Sequence, residues 1–145
     1  MRVSKRVLAL GLLIGALVLT AWGAGESGGV AAAALPERLR EAAPRVRESY
    51  QYAVAHPADL EKCPCYCGCG AMGHTSNLSC YVQEFGADGA VTYDTHANGC
   101  GICVDITQDV MRLKAEGKPS PEIRAYVDAR YSPFGPPTDT PLPTE

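Results

Sequence analysis

The chain contains no H-E-x-x-H sequence, so the pair of helix-borne histidines that holds a hydrolytic zinc ion is missing. It also lacks a basic surplus: 13 Lys and Arg stand against 16 Asp and Glu, a net charge of −3. Nucleic-acid binding needs a positive footprint, and this composition argues against such a partner. No internal repeat of solenoid length is visible, which excludes a stacked array. No cysteine follows the N-terminal apolar run, so that position offers no thiol for a lipid anchor. What the chain has in excess is thiol itself: seven cysteines, all between Cys63 and Cys103.

The segment 1–23 reads as an export signal or N-terminal anchor. Arg2, Lys5 and Arg6 precede Val7–Trp22, which carries no charge, and Ala21-Trp22-Gly23 offers small residues at a cleavage site. The apolar run is short for a membrane span of roughly 20 residues. Cleavage after Gly23 leaves 10 of the 13 basic residues against 16 acidic ones, a net charge of −6. The expected setting is therefore extracytoplasmic, with the chain secreted or attached to the outer side of the cytoplasmic membrane through its N-terminal segment. Residues 24–34, rich in Gly and Ala, read as a linker. From Ser132 to Glu145, five prolines and few apolar side chains predict a disordered tail. One small domain, 35–131, remains; its core is modest, and metal or cross-links would add useful stability.

Helical signals flank the cysteines. Pro36 to Ala43 has helical composition, and Pro44 restarts a helix at its first position, where a missing N–H costs little. In that stretch Val46, Tyr50, Ala53 and Val54 recur at helical spacing. His56-Pro57 ends it, and a turn from Pro57 to Lys62 leads into the thiols. Tyr81–Phe85 and Ala90–Tyr93 flank the turn dipeptide Asp88-Gly89 and predict a small hairpin. Ile106, Val110 and Leu113 mark a helix ending near Gly117, and a last helix opens with Ser120 as its N-cap. The expected fold class is mainly α: a small helical domain with a central cysteine-rich loop region and a short β-hairpin.

Cys63-Pro64-Cys65-Tyr66-Cys67-Gly68-Cys69 places four thiols at every second position, and Cys80, Cys100 and Cys103 follow. Clustered thiolates select soft ions: Cu(I), Zn(II) or the iron of an Fe–S cluster. In an extended strand, successive alternate residues stand roughly 6.5–7 Å apart, too wide for several sulfurs around one ion. Either the loop curls around one metal, or sulfurs bridge several metals, an arrangement that Cu(I) favours. Met72, His74 and His96 are further candidates by ligand softness; His56 reads as structural or exposed. Structural disulfides compete, but seven thiols leave one over, and C-x-C pairs close short, strained rings. A third reading is a thiol–disulfide oxidoreductase using Cys100-Gly101-Ile102-Cys103, with Cys103 in the first turn of a helix, where the dipole favours a thiolate.

Pro64-Cys65-Tyr66-Cys67-Gly68-Cys69 resembles the name-giving motif of the bacterial exported PCYCGC-motif family. The likeness continues through His56-Pro57, Gly73-His74, Ser76-Asn77-Leu78, Cys80-Tyr81-Val82, His96, Cys100–Cys103 and Glu122-Ile123-Arg124-Ala125-Tyr126, thus over about 45–131. Many members look like lipoproteins, and this chain departs from them in having no cysteine for the lipid. Since the motif begins at Pro64, the resemblance leaves Cys65, Cys67, Cys69, Cys80, Cys100 and Cys103 as the core ligand set, with Cys63 as an added ligand or a free thiol; His74 and His96 stay candidates by ligand softness. It further implies copper handling. The expected function is an exported Cu(I)-binding protein, not an enzyme, that sequesters copper or delivers it to a transfer partner. A zinc- or disulfide-stabilised structural domain and the oxidoreductase are the alternatives.

Overall fold

The computed structural model describes residues 35–144; the export segment expected at 1–23 and the linker expected at 24–34 lie outside them. Among the described residues the fold is mainly α, with one two-stranded hairpin. A single turn, α1 (Glu37–Arg40), buries Leu39. Pro44 then opens α2 (Pro44–Ala55) at its first position. His56 ends α2, and Pro57 begins a second short helix, α3 (Pro57–Glu61), where a turn was expected. The reason is the one that applies to Pro44: the first N–H groups of a helix have no internal partner, so proline there loses nothing.

The spacing that predicted α2 marks its buried face. Tyr50, Ala53 and Val54 are buried, and the helix packs against α5 (Gly101–Ala115), which buries Cys103, Val104, Ile106, Thr107, Val110 and Leu113. A left-handed glycine stops α5. Gly117, at φ +77°, donates to Lys114 O, and Lys118 N–H reaches Leu113 O at 3.0 Å, the paired bonds of a Schellman end. The last helix, α6 (Ser120–Tyr131), packs on α5 through Ile123 and Val127. Its cap is Pro119; Ser120 is its first helical residue and not the N-cap expected, and no side chain caps it.

Between α3 and α5 lie the thiol loop and the hairpin. β1 (Val82–Phe85) and β2 (Val91–Tyr93) pair antiparallel, Val82 opposite Tyr93 and Phe85 opposite Val91, with an irregularity between Val82 and Glu84. Asp88 Oδ1 accepts the Ala90 N–H at 3.0 Å, and Gly89 takes φ +82°, which closes the expected turn. A one-turn helix, α4 (His96–Gly99), precedes Cys100; nothing in the periodicity anticipates so short an element.

A buried polar knot ties this region to α5. The Cys103 carbonyl accepts the Tyr81 hydroxyl at 2.9 Å and Asn77 Nδ2 at 3.3 Å. Thr107 Oγ1 lies 2.7 Å from both Asn77 Oδ1 and the Tyr81 hydroxyl, and Asn77 N–H donates to Cys63 O at 2.7 Å. Asn77 has no solvent exposure. Truncating it strands buried partners, and each unsatisfied buried group costs roughly 1–3 kcal/mol. Asn77→Ala is therefore expected to lower unfolding stability by about 2–3 kcal/mol, read from the urea midpoint of the metal-free chain. Tyr81→Phe, which removes one hydroxyl and keeps the ring, should cost about 1 kcal/mol.

The proline-rich segment 132–144 departs from the expected disorder. Ser132–Phe134 forms a 3-10 turn, and Thr138 and Thr140 are buried. Thr138 N–H donates to Cys65 O at 2.9 Å, while Thr138 Oγ1 accepts the Cys65 N–H at 2.9 Å. Thr140 Oγ1 donates to Thr75 O at 2.6 Å, and Arg124 Nη1 reaches Thr140 O at 3.1 Å. The expectation weighed apolar side chains alone. Prolines, already fixed in φ, lose less entropy on ordering, and threonine hydroxyls supply the bonds that a core would otherwise supply.

Candidate metal centre

The loop after α3 curls. Gly68, at φ +84°, and Gly73, at φ +90°, bracket a 3-10 turn over Cys69–Met72, and such left-handed positions suit glycine. The extended geometry considered for Cys63–Cys69 is thereby broken. Cys65 Sγ and Cys67 Sγ lie only 3.4 Å apart, about half the spacing an extended strand would give. Meanwhile α5 brings Cys103 as its third residue, with Cys100 in the capping position.

Three sulfurs form a triangle: Cys65–Cys67 at 3.4 Å, Cys65–Cys103 at 3.3 Å and Cys67–Cys103 at 3.6 Å. Cys69 and Cys80 are a further pair at 3.6 Å. Donors at about 2.3 Å from one tetrahedral ion stand roughly 3.8 Å from each other, so these separations lie close to those of shared coordination. Four overlapping groups have ligand atoms within 4.8 Å of one another: Cys67, His96, Cys100 and Cys103; Cys65, Cys67 and Cys69; Cys65, Cys80 and Cys103; and Cys69, Cys80 and His96. These Cys and His groups could hold a metal ion. All seven cysteines are free thiols. A triangle of sulfurs cannot be satisfied by pairwise bridging, whereas a shared ion satisfies all three.

Both imidazoles face the sulfurs. His96 Nε2 is 3.2 Å from Cys67 Sγ, and His74 Nδ1 is 3.4 Å from Cys80 Sγ. The rings meet edge to face at 5.2 Å. Behind them stands Asp94: its Oδ1 accepts the His96 backbone N–H at 2.7 Å, and its Oδ2 lies 3.8 Å from His74 Nε2. Asp94 thus holds the backbone at His96 and stands beside the His74 ring, where a carboxylate helps to orient an imidazole.

The electrostatics favour one ready thiolate. Hydrogen bonds from Cys103 and Cys80 pull Cys65 down to about 2, against the effect of burial. Cys103 is pushed far up because it donates to Cys65 and, with burial, resists a second charge beside the first. Burial and the Cys65 charge likewise raise Cys67 and Cys69. The cluster therefore holds one negative charge easily and releases further protons only when a cation replaces them.

Of the residues singled out in the sequence, Cys65, Cys67, Cys69, Cys80, Cys100, Cys103 and His96 are brought together, and His74 joins at Cys80. Cys63 belongs to none of the groups. It is 3% exposed, at the end of α3, and burial pushes its thiol up to about 12. Met72 projects outward, 59% exposed, and His56 lies against the Tyr52 ring at 4.6 Å. Sequence reasoning missed Asp94, Asn77, Tyr81 and Thr138. Asp94 alone left a signal, since Asp two residues before His96 is the spacing of an Asx turn.

No curated protein matches the chain, and neither does any solved structure. The family described as "protein of unknown function with PCYCGC motif" matches residues 25–143. Its motif occupies Pro64–Cys69, the loop that curls to bring Cys65 onto Cys67 and Cys103. With nearly the whole domain and its thiol loop so matched, the chain belongs to the PCYCGC-motif family.

Proposed function

We propose that this protein is an exported Cu(I)-binding protein that holds copper in a multi-thiolate cluster for sequestration or delivery. The observation that carries the reading is the sharing of sulfurs. Cys65, Cys67, Cys69, Cys80 and Cys103 each belong to more than one group of close ligand atoms. Shared sulfurs suit bridging thiolates, three-sulfur triangles suit trigonal copper, and a nearly all-sulfur donor set is soft. Copper is the cargo. The ligands are Cys65, Cys67, Cys69, Cys80, Cys100 and Cys103, with His96 and His74 at the rim. The setting is extracytoplasmic and the partner a copper-transfer protein. In this reading the role is that of a carrier and not an enzyme, and Cys103, one half of the C-x-x-C pair, serves the cluster because its sulfur lies against those of Cys65 and Cys67.

A second reading has its own observation. Cys67, His96, Cys100 and Cys103 form a Cys3His set, the composition of a structural zinc site. Native mass spectrometry with elemental analysis separates the two. The reduced full chain, titrated anaerobically with Cu(I), is expected to take several coppers and to leave only Cys63 for slow alkylation. The triple change Cys65→Ser, Cys67→Ser and Cys69→Ser should remove that capacity. A single tightly held zinc that Cu(I) does not displace, or a triple variant with unchanged copper content, would refute the copper cluster.

A further inference from the structure

The cluster has an inside and an outside. Cys65, Cys80 and Cys103 have no solvent exposure, and Cys69 has 2%. Cys67, Cys100, His96 and, beside Cys80, His74 are partly exposed, and the first three belong to one group, completed by Cys103. That group shares Cys67 with the Cys65/Cys67/Cys69 set and Cys103 with the Cys65/Cys80/Cys103 set. Cys67 and Cys100 are the sulfurs that a metal ion arriving from solvent can meet, and the shared sulfurs lead from there to the buried donors.

The surface beside these ligands is bare. Gly68 follows Cys67, and Gly99 and Gly101 flank Cys100. All three are exposed, and beyond its two chain neighbours a Cβ at any of them would meet nothing within 4 Å. Gly68 needs its glycine for a φ of +84°. Gly99, at the end of α4, and Gly101, at the start of α5, have no such need, since neither adopts a positive φ. What glycine does provide at 99 and 101 is bare, exposed backbone on either side of Cys100.

We propose that copper enters and leaves the cluster at this glycine-collared face, by ligand exchange between Cys100 and Cys67 and the sulfur of a Cu(I)–thiol complex. The inference rests on the copper reading and adds the route and the class of donor. The incoming complex sets its copper beside Cys100. For each copper–sulfur bond formed to the protein, one to the carrier thiol breaks. The proton leaving the receiving cysteine passes to the departing carrier thiolate, and copper remains Cu(I) throughout. A bare collar matters because thiolate exchange runs at a rate set by access to the attacked centre.

The test places bulk in the collar without altering a ligand. In the full chain, Gly99→Leu and Gly101→Leu, singly and paired, are loaded from Cu(I)–glutathione and unloaded with a chromophoric Cu(I) chelator in stopped flow. The paired variant is expected to slow both directions by about tenfold or more. Coppers per chain and the competition equilibrium should stay at the wild-type values. Wild-type rates in a paired variant that carries the full copper load would overturn the route. If the paired variant falls short of the full load, the single Gly99→Leu carries the same comparison, since a Cβ at 99 clashes with nothing beyond the adjoining residues. A wild-type chain that takes no Cu(I) at all would instead remove the copper reading and the route with it, so the two failures are distinguishable.

Discussion

Cys103→Ser is expected to strip most of the copper capacity, while Cys63→Ser leaves it intact. The two residues are chemically alike and both buried, so their contrast isolates position from composition. Cys103 Sγ touches Cys65 at 3.3 Å and Cys67 at 3.6 Å, and it belongs to both the outer Cys3His group and the buried Cys65/Cys80/Cys103 group. A serine there removes a soft donor from two sites at once and puts a hard hydroxyl in its place. Partners one shell out from a metal are worth 10–100-fold in affinity; loss of this shared ligand should exceed about 100-fold on that scale. Cys63 lies outside every group and meets Asp59, Lys114, Arg124 and Asp128 only through their charges. Its replacement buries a hydroxyl, which is expected to cost roughly 1–3 kcal/mol of stability and no copper. Elemental analysis per chain reads the first effect, and the urea midpoint reads the second. Equal copper loss in both variants would mean that the thiols act through composition alone.

Much of the fold was legible because its elements carry strong local signals. Proline at helix starts placed α2, the spacing of Tyr50, Ala53 and Val54 marked its buried face, and Asp88-Gly89 placed the hairpin turn. The errors share one physical origin. α3 was read as a turn because five residues show no period, and the tail as disorder because its order comes from Thr138 and Thr140 binding Cys65 and Thr75, residues distant in sequence. Non-local hydrogen bonds leave no mark on composition. The same holds within the site. Spacing showed that the thiols must either curl or bridge, but the answer lay in Gly68 and Gly73 turning left-handed and in a knot of Asn77, Tyr81 and Thr107 holding the Cys103 carbonyl. The likeness to the PCYCGC-motif family left Cys63 outside the motif as an added ligand or a free thiol, and Cys63 lies outside the groups of close ligand atoms.

Removing copper is expected to lower the melting temperature by about 15–30 °C while leaving the helices largely formed. A ligand held at a thousandfold excess over its Kd stabilises the native state by about 4 kcal/mol, and in a domain of this size each kcal/mol moves the melting point by about 4–8 °C. The loss should be uneven. Tyr50, Val54, Ile106, Val110, Ile123 and Val127 share one buried cluster with Cys65, Cys69, Cys80 and Cys103 but offer no ligand atom themselves, so the helices they join should stay formed and far-ultraviolet circular dichroism should change little. The Cys63–Cys80 loop, which carries Cys65, Cys67, Cys69 and Cys80, loses its metal bonds, and its amide exchange should rise first. The choice of chelator decides between metals. A hard-ion chelator such as EDTA is expected to leave the melting point of the copper-loaded chain where it was, because it cannot compete with thiolates for Cu(I). A soft Cu(I) chelator should produce the full drop. If EDTA alone strips the stability from chain purified without added metal, the Cys67, His96, Cys100 and Cys103 group holds structural zinc, and the copper cluster is ruled out.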